Sequence, residues 1–478
     1  MNHIIQFLDL PFQVEKDFCI FKDKDTSCFY NEFMKKVVAV ALSIAKQNKK
    51  KQGIAVFASH NVETIIYFIG ILLSGNYYVP ISDEAPEELV NKIRQQADFT
   101  EDIEITYQEN QVTSKDYDML IAQLESASID DIMYMVFTSG STGVPKKVAK
   151  THRNMISFLQ AYTKGLKFNQ EHILGNQTPF YFDASAKDIY TTLYCKCKMV
   201  ILDSRLFVNP IRLVSFLNEE KINRIQWVPS ALSIVSMLHT FEQVKPLYLQ
   251  QVCFVGEVFP IPQLLYWMKE LPETEFINLY GASEMAGICA YAVLEYDEIV
   301  VTKQIPIGMP LQNSEIILVD QENNQIHAPN MPGEIYVSSE AIAPDYITKD
   351  ENMTKGYYHT GDLAIWDEKG RLQFVGREDD QIKHMGHRIE LGEIETAARE
   401  IQDVEDACCI FAKNKIILFI QGQLDKAVVT KALKAKIADY MLPSKILLVD
   451  EIPKNKNGKK DKIRLKEMLE ERKKVWKK

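Results

Sequence analysis

The chain has no hydrophobic run long enough to cross a bilayer. Its longest, IIYFIGILL at 65–73, falls well short of the roughly 20 apolar residues that a spanning helix needs. It reads as a buried helix, and no membrane span is expected. The opening MNHIIQFLDLPF lacks a basic start and a cleavage site, so no signal peptide is expected either. Cysteine is sparse and unpatterned. The eight cysteines, at 19, 28, 195, 197, 253, 289, 408 and 409, form no Cys-x-x-Cys pair, and the nine histidines show no zinc spacing. Free thiols in a reducing cytoplasm are the expectation. No Ser/His/Asp or Cys/His arrangement suggests a protein nucleophile, and neither an internal repeat nor a low-complexity tract is present.

What is there is a large, ordinary globular composition. A length of 478 residues exceeds one hydrophobic core, so at least two domains are expected. The net charge is −10, but residues 452–478 carry twelve Lys or Arg against four Asp or Glu, a local +8 that leaves −18 on the remainder. An acidic body argues against general nucleic-acid binding. The basic tail reads as a solvated helix end or as a dock for an acidic partner.

Apolar β-like runs alternate with amphipathic segments for most of the length. GIAVFAS (53–59), YMVFTS (134–139), KMVILD (198–203), RIQWVPS (224–230) and QVCFVGE (251–257) are the runs; NPIRLVSFLNEEK (209–221) is a typical segment between them. That alternation predicts an α/β fold with largely parallel sheets. Beyond residue 300 short strands with turn signals predict a β-rich subdomain, and from about residue 380 a compact α+β segment follows. The charged connector GREDDQIK (376–383) sets the expected boundary: a large domain over 1–378 and a small C-terminal domain over 379–478.

The stretch TSGSTGVPKKV (138–148) places hydroxyls, glycines and lysines directly after an apolar run. Successive backbone N–H groups in such a turn form a concavity for anions, and a lysine supplies countercharge. Thr138, Ser139, Gly140, Ser141, Thr142, Gly143 and Lys146 therefore read as a phosphate loop, although a plain glycine-rich turn has the same composition. It is not a Walker A loop, because Pro145 stands where that motif needs glycine and lysine to follow.

At these residues the sequence resembles the adenylate-forming enzymes: amino-acid adenylation domains, acyl-CoA and aryl-acid ligases, and luciferases. LLSGNYYVPIS (72–82), YFDASAKDIY (181–190), NLYGASE (278–284), YHTGDLA (358–364), GREDDQIKHMGHRIELGEIE (376–395) and PKNKNGKKDK (453–462) follow in the family's order, so the resemblance spans nearly the whole chain. It implies ATP and Mg²⁺ as cofactors and two half-reactions. A carboxylate attacks the α-phosphorus of ATP, and a thiol then displaces AMP. Such chemistry needs charge neutralisation and alignment more than a covalent protein nucleophile.

The resemblance assigns roles residue by residue. Asn278 and Tyr280 would bind adenine, Ser283 would approach the α-phosphate, and Glu284 would help hold Mg²⁺. Gly256 and Gly281 complete the nucleotide set. Asp362 would accept from the ribose hydroxyls and Arg377 would contact ribose or phosphate; a turn residue or a surface ion pair is the plainer alternative for either. Lys459 would be the catalytic lysine, Asp379 the hinge, and Gly386 would lie on a loop that nears the site in the second half-reaction.

Asp183 in FDAS would bind the α-ammonium of an amino-acid substrate; the alternative is a helix N-cap. The side-chain pocket would comprise Ala184, Lys187, Ala231, Cys253, Val255, Leu279, Gly287 and Ile288. Lys187, its single charge, could meet an acidic substrate side chain, pair with Asp183 one turn earlier, or turn outward to solvent. GEVFP and DIY resemble D-alanine–carrier-protein ligases, but Val255 stands where those enzymes have cysteine. Further departures are Lys147 for glycine, Ala282 for proline, and the absence of paired glycines in GEIYVSSE.

No carrier module follows the lysine motif, so the thiol is expected in trans, from the phosphopantetheine of a separate carrier protein or from coenzyme A. The leading expectation is a stand-alone, cytoplasmic amino-acid adenylating ligase. Alternatives are a ligase for D-alanine or another small amino acid, an acyl- or aryl-CoA ligase, and a non-catalytic nucleotide-binding scaffold.

Overall fold

The computed structural model describes residues 2–47, 50–96, 112–138, 145–342, 353–354, 356–377, 381–422, 424–454 and 460–475. The expected roles of Ser139, Gly140, Ser141, Thr142, Gly143, Asp379 and Lys459 fall outside them. Among the described residues no helix is long and apolar enough to cross a membrane. The chain divides into two compact units. The first comprises Met1–Asp83, Asp98–Val136 and Lys147–Glu378; the second comprises Glu84–Ala97, Phe137–Lys146 and Asp379–Lys478.

A nine-stranded sheet dominates the first unit. Edge to edge it runs Met309–Pro310, Ala290–Leu294, Glu275–Tyr280, Gln251–Val255, Arg224–Trp227, Ile173–Asn176, Lys198–Ile201, Cys19–Lys22 and Ser27–Phe29. The six strands from Glu275–Tyr280 across to Cys19–Lys22 are parallel, and antiparallel strands flank them on both sides. A four-stranded sheet joins Gly53–Phe57, Tyr77–Ile81, Ile132–Thr138 and Lys146–Thr151, with the first three strands parallel. Parallel strands covered by helices on both faces lack polar alternation. That is why RIQW and YYVPI are buried at every position.

Residues 62–73 form a helix, Val62–Leu73, capped by Asn61, whose Oδ1 accepts from the Thr64 amide at 3.1 Å. The helix is buried nearly all round and crosses Tyr30–Ala45 at Gly70, where a Cβ would stand 2.5 Å from Val40 Cγ1 and 3.1 Å from the Val37 carbonyl. Beyond residue 300 the chain builds a six-stranded antiparallel sheet that includes Ser314–Val319, Gly333–Ser339, Tyr357–Trp366 and Leu372–Arg377.

The second unit contains a hairpin, Gln381–His384 with His387–Glu390, turned by Met385 and Gly386 at φ of 52° and 81°. Helix Leu391–Arg399 follows, then a three-stranded sheet of Val404–Ala412, Lys415–Gly422 and Lys445–Val449. The strand KIILFIQG divides its apolar residues with period two. Ile416, Leu418 and Ile420 join the core with Ile394, Val429 and Leu433. Ile417 and Phe419 join the core with Leu447, Leu465 and Leu469.

Gly70→Val is expected to overpack the helix crossing and destabilise the protein by about 2 kcal/mol. A lowered midpoint in chemical denaturation, read by circular dichroism, checks this; an unchanged midpoint refutes the close approach.

Candidate active site

Open α/β sheets bind ligands outside the carboxyl ends of their parallel strands. Those ends in the nine-stranded sheet carry several of the candidate residues. Strand Gln251–Val255 brings Cys253 and Val255 and leads to Gly256; its parallel neighbour Glu275–Tyr280 brings Asn278, Leu279 and Tyr280 and leads to Gly281. A 3-10 turn, Ser283–Met285, carries Ser283 and the buried Glu284. Gly287 and Ile288 follow. Gly281 is obligatory here, since a Cβ on it would fall 2.2 Å from the Gly287 carbonyl oxygen.

Three nucleotide candidates meet in one buried cluster. Tyr280 donates its hydroxyl to Asp362 Oδ2 at 2.7 Å, and Arg377 donates Nη1 to Asp362 Oδ1. Asp362 and Arg377 are register partners on adjacent strands, so the pair is cross-strand, with Asp362 buried and Arg377 half-buried, not the surface ion pair allowed above. The Asp362 amide is fixed by Thr360 Oγ1 at 3.0 Å, and Arg377 Nη2 donates to the Thr360 carbonyl at 3.2 Å. Each carboxylate oxygen has two lone pairs, so Asp362 retains capacity for further donors. Asn278 donates Nδ2 to the Pro306 carbonyl at 2.9 Å. A carbonyl can only accept, which orients the amide and leaves Asn278 Oδ1 as the group suited to an exocyclic amine.

A second cluster surrounds Asp183. Helix Ala184–Cys195 is buried on almost every side, so its polar residues need internal partners. Asp183 precedes it with helical backbone angles and makes no side-chain cap, which removes the capping alternative. Its Oδ1 accepts from the Tyr134 hydroxyl at 2.7 Å, while its buried Oδ2 has no hydrogen-bond partner. A Cβ on Gly287 would stand 3.9 Å from that oxygen, so glycine leaves room beside it. Burial raises the Asp183 carboxyl to about 6, against the opposing pull of Lys150 and the Tyr134 hydroxyl. Tyr134 stacks on Tyr78, whose hydroxyl meets that of Tyr190 at 2.9 Å.

Lys187 is neither paired with Asp183 nor turned to solvent. It is 1 % exposed and bonds to Asp188 Oδ1 at 3.0 Å and to the Ala184 carbonyl at 3.1 Å. Asp188 in turn accepts from Asn176 Nδ2 at 2.8 Å, and Asn176 Oδ1 lies 2.7 Å from His60 Nε2. Of the three expectations for Lys187, pairing with Asp183 and turning to solvent are not met, and its charge is balanced within its own helix by Asp188. Cys253, Leu279 and Ile288 lie in the main core, and Cys253 directs its thiol to Gln251 Oε1 at 3.2 Å; burial raises that thiol to about 11. Ala184 and Val255 are half-buried, and Ala231 is buried.

Thr138 ends its strand with a buried Oγ1 that has no hydrogen-bond partner, and Lys146 opens the strand after the loop. Sequence reasoning overlooked Lys150 on that strand. It is 0 % exposed, its Nζ has no hydrogen-bond partner, and burial lowers it to about 8 against the pull of Asp183 and Glu284. The available signal was its place directly after the apolar Val148 and Ala149 in KKVAKT; the strand is buried on both faces from Val148 onward.

The family model for AMP-binding enzymes matches residues 12–347, and that for the AMP-binding enzyme C-terminal domain matches 393–459. The chain belongs to the AMP-binding enzyme family. It is 27 % identical over 473 residues to bacitracin synthase 1 of Bacillus licheniformis, covering 92 % of this chain but only 9 % of that protein. It is 26 % identical over 446 residues to the D-alanine–D-alanyl carrier protein ligase of Lacticaseibacillus casei, covering 86 % of this chain and 88 % of that enzyme. Its fold matches the Vibrio cholerae adenylation domain AlmE, solved with glycyl-adenosine-5'-phosphate, at a TM-score of 0.80 and 18 % identity over 98 % of this chain and 97 % of that one. The predicted α/β class with a larger and a smaller unit agrees with that likeness.

Tyr280→Phe should remove one buried donor from Asp362 and weaken AMP binding by about 1 kcal/mol, a factor of about five. Isothermal titration with AMP checks it; unchanged affinity would show that Asp362 needs no support from Tyr280.

Proposed function

We propose that the protein activates an amino acid with ATP to an aminoacyl-adenylate and passes the acyl group to the phosphopantetheine thiol of a separate carrier protein in the cytoplasm. The observation that carries this reading is the buried, unpartnered Asp183 Oδ2 beside Gly287. A buried carboxylate oxygen without a donor is costly unless a ligand supplies one, and an α-ammonium is the donor an amino acid brings. An acyl or aryl acid brings none. The relatives named above support the same reading.

In the first half-reaction a carboxylate oxygen of the substrate bonds to the α-phosphorus of ATP and pyrophosphate leaves. In the second the thiolate sulfur bonds to the acyl carbon and AMP leaves. Tyr280, Asn278, Asp362 and Arg377 hold adenine and ribose, Ser283 approaches the α-phosphate, and the loop from Thr138 to Gly143 with Lys146 cradles the phosphates. Gly256 and Gly281 shape the backbone around them. Lys459 offsets charge that builds on the reacting oxygens, and Asp379 is the hinge about which residues 379–478 turn against 1–378. Glu284 suits Mg²⁺, which binds through one or two carboxylates and completes its shell with phosphate oxygens and water. The ion would neutralise phosphate charge.

The side-chain pocket of Ala184, Lys187, Ala231, Cys253, Val255, Leu279, Gly287 and Ile288 favours a compact, uncharged side chain over an acidic one, because Lys187 is already balanced by Asp188.

ATP–pyrophosphate exchange with a panel of amino acids and their deamino analogues tests the proposal. Exchange with the analogues alone, or with no acid, sinks it. Asp183→Asn is expected to raise KM for the amino acid about thirtyfold, the lower end of what truncating a buried charge pair costs. The pH profile should follow the Asp183 carboxyl. Its value in the folded protein lies above that of an exposed carboxyl, so its contribution to stability is fully present below about pH 4 and lost as pH rises through about 6. Substrate binding requires the ionised form, and amino-acid affinity should therefore fall as pH drops below about 6. A flat profile in wild type would contradict this, and Asp183→Asn should abolish the dependence.

A further inference from the structure

Lys150 has no part in the reading above, yet it is a wholly buried cation beside Asp183. It stands on strand Lys146–Thr151, while Asp183 precedes helix Ala184–Cys195 and Glu284 lies in the turn Ser283–Met285. Strand Lys146–Thr151 pairs with Ile132–Thr138, the strand of Tyr134, whose hydroxyl binds Asp183 Oδ1; Lys150 Nζ and Asp183 Oδ2 each lack a hydrogen-bond partner, so no direct bond joins them. The charged and titratable groups that face Asp183 are Lys150, Tyr134, Glu284 and Lys187; those that face Lys150 are Asp183 and Glu284.

We propose that Lys150 is a positioning residue of the ammonium site, a fixed counter-charge that keeps the Asp183 carboxylate ionised and open while no substrate is bound. Two features carry this. The first is charge balance. Lys187 is bonded to Asp188, which leaves Lys150 as the buried cation set against Asp183. Without it the buried carboxylate would take up a proton instead. The second is distance. A lysine bonded directly to Oδ2 would compete with the substrate's ammonium. Held off it, Lys150 acts through space in a medium of low dielectric, while Tyr134 occupies Oδ1 and leaves Oδ2 facing the room beside Gly287. Lys187 cannot take this part because Asp188 and the Ala184 carbonyl hold it.

This inference gives the amino-acid reading a resting state, but its test needs no substrate. Infrared difference spectra of the ligand-free full-length protein at pH 7, taken against Asp183→Asn, report whether Asp183 carries a proton. The expected result is no protonated-carboxyl band in wild type, and such a band in Lys150→Met that vanishes in the Lys150→Met/Asp183→Asn double variant. A band already present in wild type, or none in Lys150→Met, overturns the proposal. Circular dichroism confirms that the variants fold, and Lys150→Gln takes the place of the methionine variant if that one does not. Where an amino-acid substrate is in hand, Lys150→Met should cut the preference for it over its deamino analogue about twofold at pH 7, the loss of ionised form when a carboxyl at about 6 rises by about one unit, and should regain it as pH is raised. An unchanged preference at every pH also overturns the proposal. Absence of amino-acid activation by wild type would sink the functional reading alone, because the spectra would still decide the state of Asp183.

Discussion

Burying the Asp183 carboxylate with one oxygen unbonded costs about 2 kcal/mol or more, and the first unit is arranged around that cost. The phenol of Tyr134 satisfies the other oxygen, and Tyr134 is itself held in a stack with Tyr78 and Phe68. The helix that follows Asp183 is immersed in the core, which fixes where the carboxylate sits. Gly287 gives it space on one side. A site that pays for an unsatisfied acceptor in the empty state has a ready means of selection, because a ligand lacking the matching donor leaves the cost in place.

The nucleotide cluster follows a different logic. Tyr280, Asp362 and Arg377 satisfy one another, and they are joined by strand pairing: Asp362 and Arg377 face each other across two antiparallel strands. A network already joined before a ligand arrives keeps its shape, so a ribose bound there as proposed would meet a preformed surface. The amide of Asn278, pinned by the Pro306 carbonyl, belongs to the same preformed set.

The strands and helices were legible because their residues obey simple periods. QVCFV and RIQW form continuous apolar runs and became buried parallel strands, while KIILFIQG shares its alternate residues between two cores. The motif residues were legible only through resemblance, since NLYGASE has the composition of any strand end. Lys187 shows where spacing misleads. Helical geometry pairs residues three or four apart, but a lysine with a long stem folded back to its immediate neighbour Asp188, a choice made by burial. Lys150 was invisible for a related reason. Lysines in a strand are normally read as solvent-facing, and whether both faces of that strand are covered is decided by elements far away in the chain.

The self-balanced pair Lys187–Asp188 has a consequence for redesign. Replacing either partner singly would strand a buried charge, which is far costlier than exchanging both for well-packed apolar residues of similar volume. Any lineage or laboratory that reshapes this pocket is therefore steered toward coupled double changes, with the single-step intermediates acting as barriers.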